Sequence, residues 1–495
     1  MAIEKGDREP LRHGYKLRRK SVSKPRLNFD ILYEIMKNSN LRGLLAIMQT
    51  CHALQHAGAK LLLDRHLPIS GQRQLRSFCR FMLADTPRRF ATLHRASLLV
   101  SDVVPSDRPT IALLTEVLRH AVALEWLQIG LQADVLNVHP ELSQAVSALY
   151  SLRVLSFVGP SERAHADLIS SINAPLAELN VVFHESQERQ PSQDLIHLLE
   201  QFSRSLELLA VHNVSCEPAP TIQYPMTLSL EASLEDAEYD FSAWIRSFPN
   251  ITDLSIISGY GNLSPNLMEQ HRALNMAAQE KHSWARLRYL SGYIDDLFVA
   301  APTCKVDHLR VVFADPTWTE EFALVLESTS PQKLSVEVEL DEDNWTEEWL
   351  VELLNFALTL ADVKLKFIVN PSAAMRTEAI LNSLLGLSET LQVSNLDLTF
   401  ELDVDFDAVD VQNLPQVFKI LRELDVGAFV QKFADRAGAL RDLKVFVPCN
   451  SESHWSIERP EDGCSMASHH LYQKTSKWSV TDEMISLLHD DDIEA

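Results

Sequence analysis

From residue 101 to 447 the chain repeats a short pattern, Φ-x-x-Φ-x-Φ, in which Φ is apolar. Copies lie at Leu124/Leu127/Ile129, Leu152/Leu155/Phe157, Leu176/Leu179/Val181, Leu206/Leu209/Val211, Ile251/Leu254/Ile256, Val306/Leu309/Val311, Leu360/Val363/Leu365, Val393/Leu396/Leu398 and Leu440/Leu443/Val445, with weaker ones at Leu228, Leu290 and Leu334. The last two positions of each triplet are two residues apart, which places them on one face of a strand. Between the triplets the apolar period changes to three and four, the signature of a helix buried along one side. Ile111, Leu114, Leu118 and Ala121 make one such stripe, and Leu195, Leu198, Leu199 and Phe202 another. Phe322, Val325 and Leu326 make a third, and Leu350, Leu353, Leu354 and Ala357 a fourth, with Trp345 and Trp349 near its start and Asn344 and Glu347 set as a capping pair.

The middle positions of the triplets recur at a mean step of about 29 residues, which resembles a leucine-rich repeat. The usual Asn or Cys of the repeat turn is missing; Gln132, Pro160, His184 and Val214 stand in that place. One strand–helix unit cannot bury its own apolar face, so such units stack, with parallel strands along a concave side and helices outside. Alternate strand residues then face outward from the sheet. Trp126, Gln128, Asn180, His212, Asp253, Ser255, Tyr289, His308, Arg310 and Ser335 are the candidates for a partner-binding concave face.

Residues 27–66 are organised differently. Leu27, Phe29, Ile31, Leu32, Ile35, Met36, Leu41, Leu44, Leu45, Met48 and Leu54 crowd a segment too short to hide that much apolar surface unaided. The run Leu27-Asn28-Phe29-Asp30-Ile31-Leu32-Tyr33-Glu34-Ile35, then Gly43-Leu44-Leu45-Ala46-Ile47-Met48, then Thr50-Cys51-His52-Ala53-Leu54 resembles an F-box. Asn28 stands where proline is usual, Ser39 where leucine is common, Thr50 for valine and Leu54 for tryptophan. The continuation Leu61-Leu62-Leu63-Asp64-Arg65-His66 resembles fungal F-box proteins that carry degenerate leucine-rich repeats. The resemblance implies a non-catalytic receptor that docks these apolar residues onto the Skp adaptor of a cullin ubiquitin ligase. Its repeats would hold an unidentified target protein. The alternative is a repeat protein that binds partners without ubiquitin transfer, its first helices serving as a cap.

Charge and composition narrow the classes further. The net charge of −23 repels nucleic acid and anionic membranes, and favours basic proteins or peptides as partners. Residues 1–26 are the exception, with nine Lys or Arg against three acids, fitting either a solvated basic tail or a nuclear-import signal. There is no GxGxxG, GxxxxGK[ST], GxSxG or HExxH pattern, and Gly259-Tyr260-Gly261 is only a turn fragment. The six cysteines form no CxxC pair and fit reduced thiols. Cys449, His454, Cys464, His469 and His470 are the best metal candidates, but their spacing matches no standard zinc module. The carboxylates at Glu337–Asp343 and at Asp403, Asp405 and Asp407 lack the glycine of a calcium loop. No cofactor and no metal are expected. The amino terminus lacks a hydrophobic signal core and no apolar run reaches the ~18 residues of a membrane span, so a cytoplasmic or nuclear protein is expected.

The expected architecture is α/β: a basic tail (1–26), an all-α F-box-like module (27–66), a linker helix and first strand (67–100), an irregular leucine-rich-repeat solenoid (101–447), and a cap with an acidic tail (448–495).

Overall fold

The structure is a computed structural model. It describes residues 28–470 apart from 66–67, 132, 160–161, 184–194, 215–221, 235–240, 257–263, 314–315, 341–346, 358–359, 371–373, 389–392, 403–419, 422, 448–452 and 459–465. Leu27, the basic tail, Gln132, Pro160, His184, Gly259–Gly261, Asp341–Trp345, Asp403–Asp407, Cys449, Cys464 and the acidic tail lie outside the described residues. The chain divides into two compact units after Leu67.

The first unit is three helices, α1 (Phe29–Asn38), α2 (Leu41–Met48) and α3 (His52–Asp64). Helix α1 begins after Asn28, whose carbonyl accepts from the Leu32 N–H while its side chain makes no capping bond. Asn40 does cap α2, accepting from the Gly43 N–H at 2.8 Å. Met36, Leu44, Met48 and Leu54 form the interior of the unit. Gly58 lets α3 come close: a Cβ there would lie 2.2 Å from Met48 Cγ and 2.6 Å from Met36 Cε. Arg65 ties the end of α3 to the end of α1, donating to the carbonyls of Met36 at 3.1 Å and Lys37 at 2.9 Å.

The second unit is an α/β layer built on one sixteen-stranded sheet whose strands lie in sequence order. They are β1 (Pro68–Ile69), β2 (Arg95–Val100), β3 (Trp126–Leu131), β4 (Val154–Gly159), β5 (Glu178–Phe183), β6 (Leu208–Val214), β7 (Ser229–Leu234), β8 (Asp253–Ile256), β9 (Arg286–Tyr293), β10 (Lys305–Phe313), β11 (Lys333–Leu340), β12 (Asp362–Val369), β13 (Asn395–Leu402), β14 (Asp442–Phe446), β15 (Ser453–Glu458) and β16 (Met466–His470). Strands β1 to β14 pair in parallel, so each must be regained by a crossover, and helices fill most of these connections. The stretch expected as a linker is part of this sheet. It carries β1, β2 and two helices, α4 (Gln72–Leu83) and α5 (Thr86–Phe90). At the other end β15 and β16 turn antiparallel and extend the sheet.

The triplets set the register. Leu127, Leu155, Leu179, Leu209, Leu230, Leu254, Leu290, Leu309, Leu334, Val363, Leu396 and Leu443 are successive Cα partners in a single row. All twelve are buried. One position is corrected: the row passes through Leu230, while Leu228 precedes the strand and is exposed. The second apolar row reaches Gly292, where a Cβ would meet the Ile256 carbonyl at 2.7 Å; only glycine lets β8 and β9 approach this closely.

Of the helical stripes, Ile111, Leu114 and Leu118 lie buried on α6 (Arg108–His120), and Phe322 and Val325 lie buried on the helix Thr319–Thr329. The Leu195 stripe makes only one α-helical turn, Leu195–Leu198, then a 3-10 turn at Glu200–Phe202. Aromatic rings join neighbouring repeats, with Phe313 edge-on to both Phe322 and Trp349 and Phe367 stacked on Phe400 at 5.3 Å.

Polar side chains also bridge repeats. Tyr224 Oη donates to the Ile196 carbonyl, Thr227 Oγ1 to Leu206 and Trp284 Nε1 to Phe248. On the helix Pro265–Lys281, buried Asn275 and Gln279 donate to the carbonyls of Val299, Ala300 and Ala301. They thereby close the carboxyl end of the helix Ile294–Ala300, whose cap residue Ala301 sits at φ 48°.

Candidate functional site

Two surfaces stand out, one on each unit. On the helical unit, large apolar side chains outside the Met36/Leu44/Met48/Leu54 interior remain exposed. Phe29, Ile31 and Ile35 on α1 and Leu41 and Leu45 on α2 are each 40–50 % exposed, and Leu32 is half-buried. Ile31 and Ile35, one helical turn apart, border a shallow groove with Asp30, Glu34 and Asn38. Four residues expected on a docking surface, Met36, Leu44, Met48 and Leu54, are instead interior. Met36 and Met48 meet at Gly58, which draws them inward.

On the second unit, all ten residues expected to face outward sit at alternate positions to the apolar rows and are half-buried. Trp126, Asp253, Tyr289 and His308 lie at one register level. Gln128, Asn180, Ser255, Arg310 and Ser335 lie two residues further along, and His212 lies two beyond those. The structure brings six of them together on β8 to β11. Tyr289 meets His308 edge-on at 5.3 Å, His308 Nε2 is 2.8 Å from Ser335 Oγ, and Ser255 accepts from Ser291 at 2.9 Å. Near the amino ends of these strands Asp253, Arg288, Tyr289, Asp307, His308, Gln332 and Lys333 line a hollow. Trp126, Gln128, Asn180 and His212 are spread over β3 to β6, where Gln128 hydrogen-bonds Ser97 at 2.8 Å and His212 lies 3.4 Å from Glu231.

A ladder of ion pairs crosses this face, which triplet spacing alone does not reveal. Arg288 grips Asp253 through two hydrogen bonds of 3.0 and 2.7 Å. Arg286 pairs with Asp307, Lys333 with Asp362 at 3.1 Å, and Lys364 with Asp397 at 3.8 Å. Glu337 is held by Arg310 and by Lys366 at 3.1 Å, and Lys366 reaches Glu401 at 2.8 Å. Burial alone would raise the Glu337 carboxyl, but the hydrogen bonds from Arg310 and Lys366 outweigh it and hold it below the usual carboxylate range. Burial, with Lys333 nearby, lowers His308. Tyr293 is raised by burial and by the carboxylates of Glu339, Asp296 and Glu337.

Burial pushes the Cys79 thiol up to about 12 and Cys304 to about 11, far from a reactive thiolate. Among the described residues no group of three or more His, Cys, Asp or Glu is placed to hold a metal ion. His454 and His470 are cross-strand partners on β15 and β16, and His469 pairs with Trp455. No helix among the described residues is long and apolar enough to cross a membrane. In comparisons with known proteins, no family model matches the chain and no curated protein matches it.

Proposed function

We propose that this chain is a substrate-recognition subunit of an SCF-type ubiquitin ligase, docking by its amino-terminal helices and holding a target protein on its sheet. The supporting observation is the exposure of five large apolar side chains, Phe29, Ile31, Ile35, Leu41 and Leu45. Full burial of such a side chain contributes about 1.5–3 kcal/mol, so covering the 40–50 % still exposed on five of them is worth roughly 3–7 kcal/mol before association costs. That much exposed apolar side chain on so small a unit is the kind of surface a partner subunit covers. The docking set is therefore these five residues with half-buried Leu32, and not the four interior ones.

The outward sheet face supplies the second half of the reading. It offers aromatic, hydroxyl, imidazole and paired charged groups across adjacent strands, the mixture that recognises a protein segment. Catalysis would come from the ligase core, and this subunit would raise the local concentration of its target. Co-purification tests the reading. The wild-type chain, co-expressed with a Skp-type adaptor and cullin, should carry both through gel filtration, and Ile31→Asp with Leu45→Asp should release them. A wild-type chain that elutes without adaptor overturns it and leaves a repeat protein with no part in ubiquitin transfer.

A further inference from the structure

The ion pairs on the sheet share an asymmetry that net charge conceals. In each of five pairs the cation is the more exposed partner. The Arg288 side chain is 73 % exposed and Asp253 19 %; Lys333 is 60 % and Asp362 38 %; Arg310 is 40 % and Glu337 11 %. Arg286 over Asp307 and Lys364 over Asp397 follow the same order. These pairs occupy six consecutive strands, β8 to β13. Among the Lys and Arg pairs of the described strands, the order reverses at Lys366 and Glu401, toward the carboxyl ends. The face is thus polarised along the strand direction. Guanidinium and ammonium tips stand outermost near the amino ends, and the Glu401 carboxylate stands outermost near the carboxyl ends.

We infer that the hollow at the amino ends of β8 to β11 takes a carboxylate-rich segment of the captured protein, clamped by Arg288 and Lys333 beside the Tyr289–His308 pair. The inference rests on the target-holding reading above and assigns its substrate class. A chain of net charge −23 would by itself favour a basic target. At physiological salt, however, screening acts over about 8 Å, so a segment seated in the hollow is governed by the groups that touch it. Those groups include two cations, Arg288 and Lys333, each more exposed than the carboxylate it pairs with, beside the Asp253 and Asp307 carboxylates of the hollow's wall. A guanidinium already held by Asp253 is oriented in advance, which lowers the ordering cost of a second carboxylate contact. The exposed Glu401 and the carboxylates around Tyr293 repel an acidic segment from the opposite end of the strands. They thereby fix which way it lies.

The test uses the full chain and two fluorescein-labelled twelve-residue probes, one alternating Ser with Glu and the other Ser with Lys, titrated by anisotropy at 150 mM salt. The Glu probe should bind saturably. Arg288→Glu with Lys333→Glu should weaken it about tenfold, because attraction becomes like-charge repulsion, and should not weaken the Lys probe. Arg288→Gln with Lys333→Gln, which keeps the side-chain bulk, should weaken it by about threefold with unchanged thermal unfolding. Absence of saturable Glu-probe binding to wild type overturns the inference, as does equal binding by a folded charge-reversal variant. Adaptor co-purification of the same variants is read separately. It should be unaffected, so loss of the hollow and loss of the docking reading give different results.

Discussion

Gln279 offers a direct measure of what holds the repeats in place behind the sheet. Its Nε2 donates to the carbonyls of Ala300 and Ala301, both at 2.8 Å, and its Oε1 accepts from the Thr303 N–H at 3.1 Å. The residue is 4 % exposed, so no water replaces these bonds cheaply. Gln279→Leu keeps the side-chain volume and strands two carbonyls and one N–H. A buried polar group left unsatisfied costs about 1–3 kcal/mol, and the leucine recovers part of that by apolar burial, so a net loss of about 3 kcal/mol is expected. Because stacked repeats open locally, the assay is native-state hydrogen exchange followed by mass spectrometry. Amides of the helix Ile294–Ala300 and of Val306–Val311 on β10 should lose protection by about a hundredfold, while β2 to β4 remain unchanged. A loss smaller than about fivefold at Ile294–Ala300, or an equal loss across the whole sheet, would refute the claim that Gln279 acts as a local side-chain cap.

Other perturbations have equally definite outcomes. Gly58→Val should separate α3 from α1 and α2, at a cost of about 1–3 kcal/mol from overpacking against Met48, seen as faster hydrogen exchange throughout Phe29–Asp64. Leu44→Asp should unfold the helical unit, whereas Leu45→Asp, one residue away, should leave its circular dichroism and exchange intact. Burial lowers His165, stacked on Phe157, from 6.5 to about 4, so the folded state resists a proton that the unfolded chain accepts. Stability from this residue is complete above pH 6.5 and is lost as pH falls toward about 4, by at most about 3 kcal/mol, and His165→Phe should flatten that limb of a urea-midpoint profile.

The strand rows were legible because a parallel sheet covered on one face forces period two, and Leu127 through Leu443 obey it. Leu228 misled because it lies two residues from Leu230, with the same alternation. Only the length of the turn before β7, fixed by Thr227 bonding to Leu206, separates them. Within the helical unit, apolar composition was legible but its inner face was not. Leu44 and Leu45 read alike in sequence, yet Leu44 is wholly buried and Leu45 is 40 % exposed. The polarity of the sheet face was hidden for another reason. Arg288 and Asp253 are 35 residues apart and Arg310 and Glu337 are 27 apart, so net charge is summed over groups that the fold has already paired. Gln279 carried no signal, because its helix Pro265–Lys281 buries Asn275 and Gln279 while leaving Leu267, Leu274 and Met276 exposed.

Isothermal titration of a purified Skp-type adaptor into the full chain tests the docking claim most directly. Saturable one-to-one binding with a negative heat-capacity change, the mark of apolar burial, is expected, and Ile31→Asp with Leu45→Asp should abolish it. Wild-type protein that binds no adaptor, or a variant that binds it as tightly as wild type, would rule out docking through these helices.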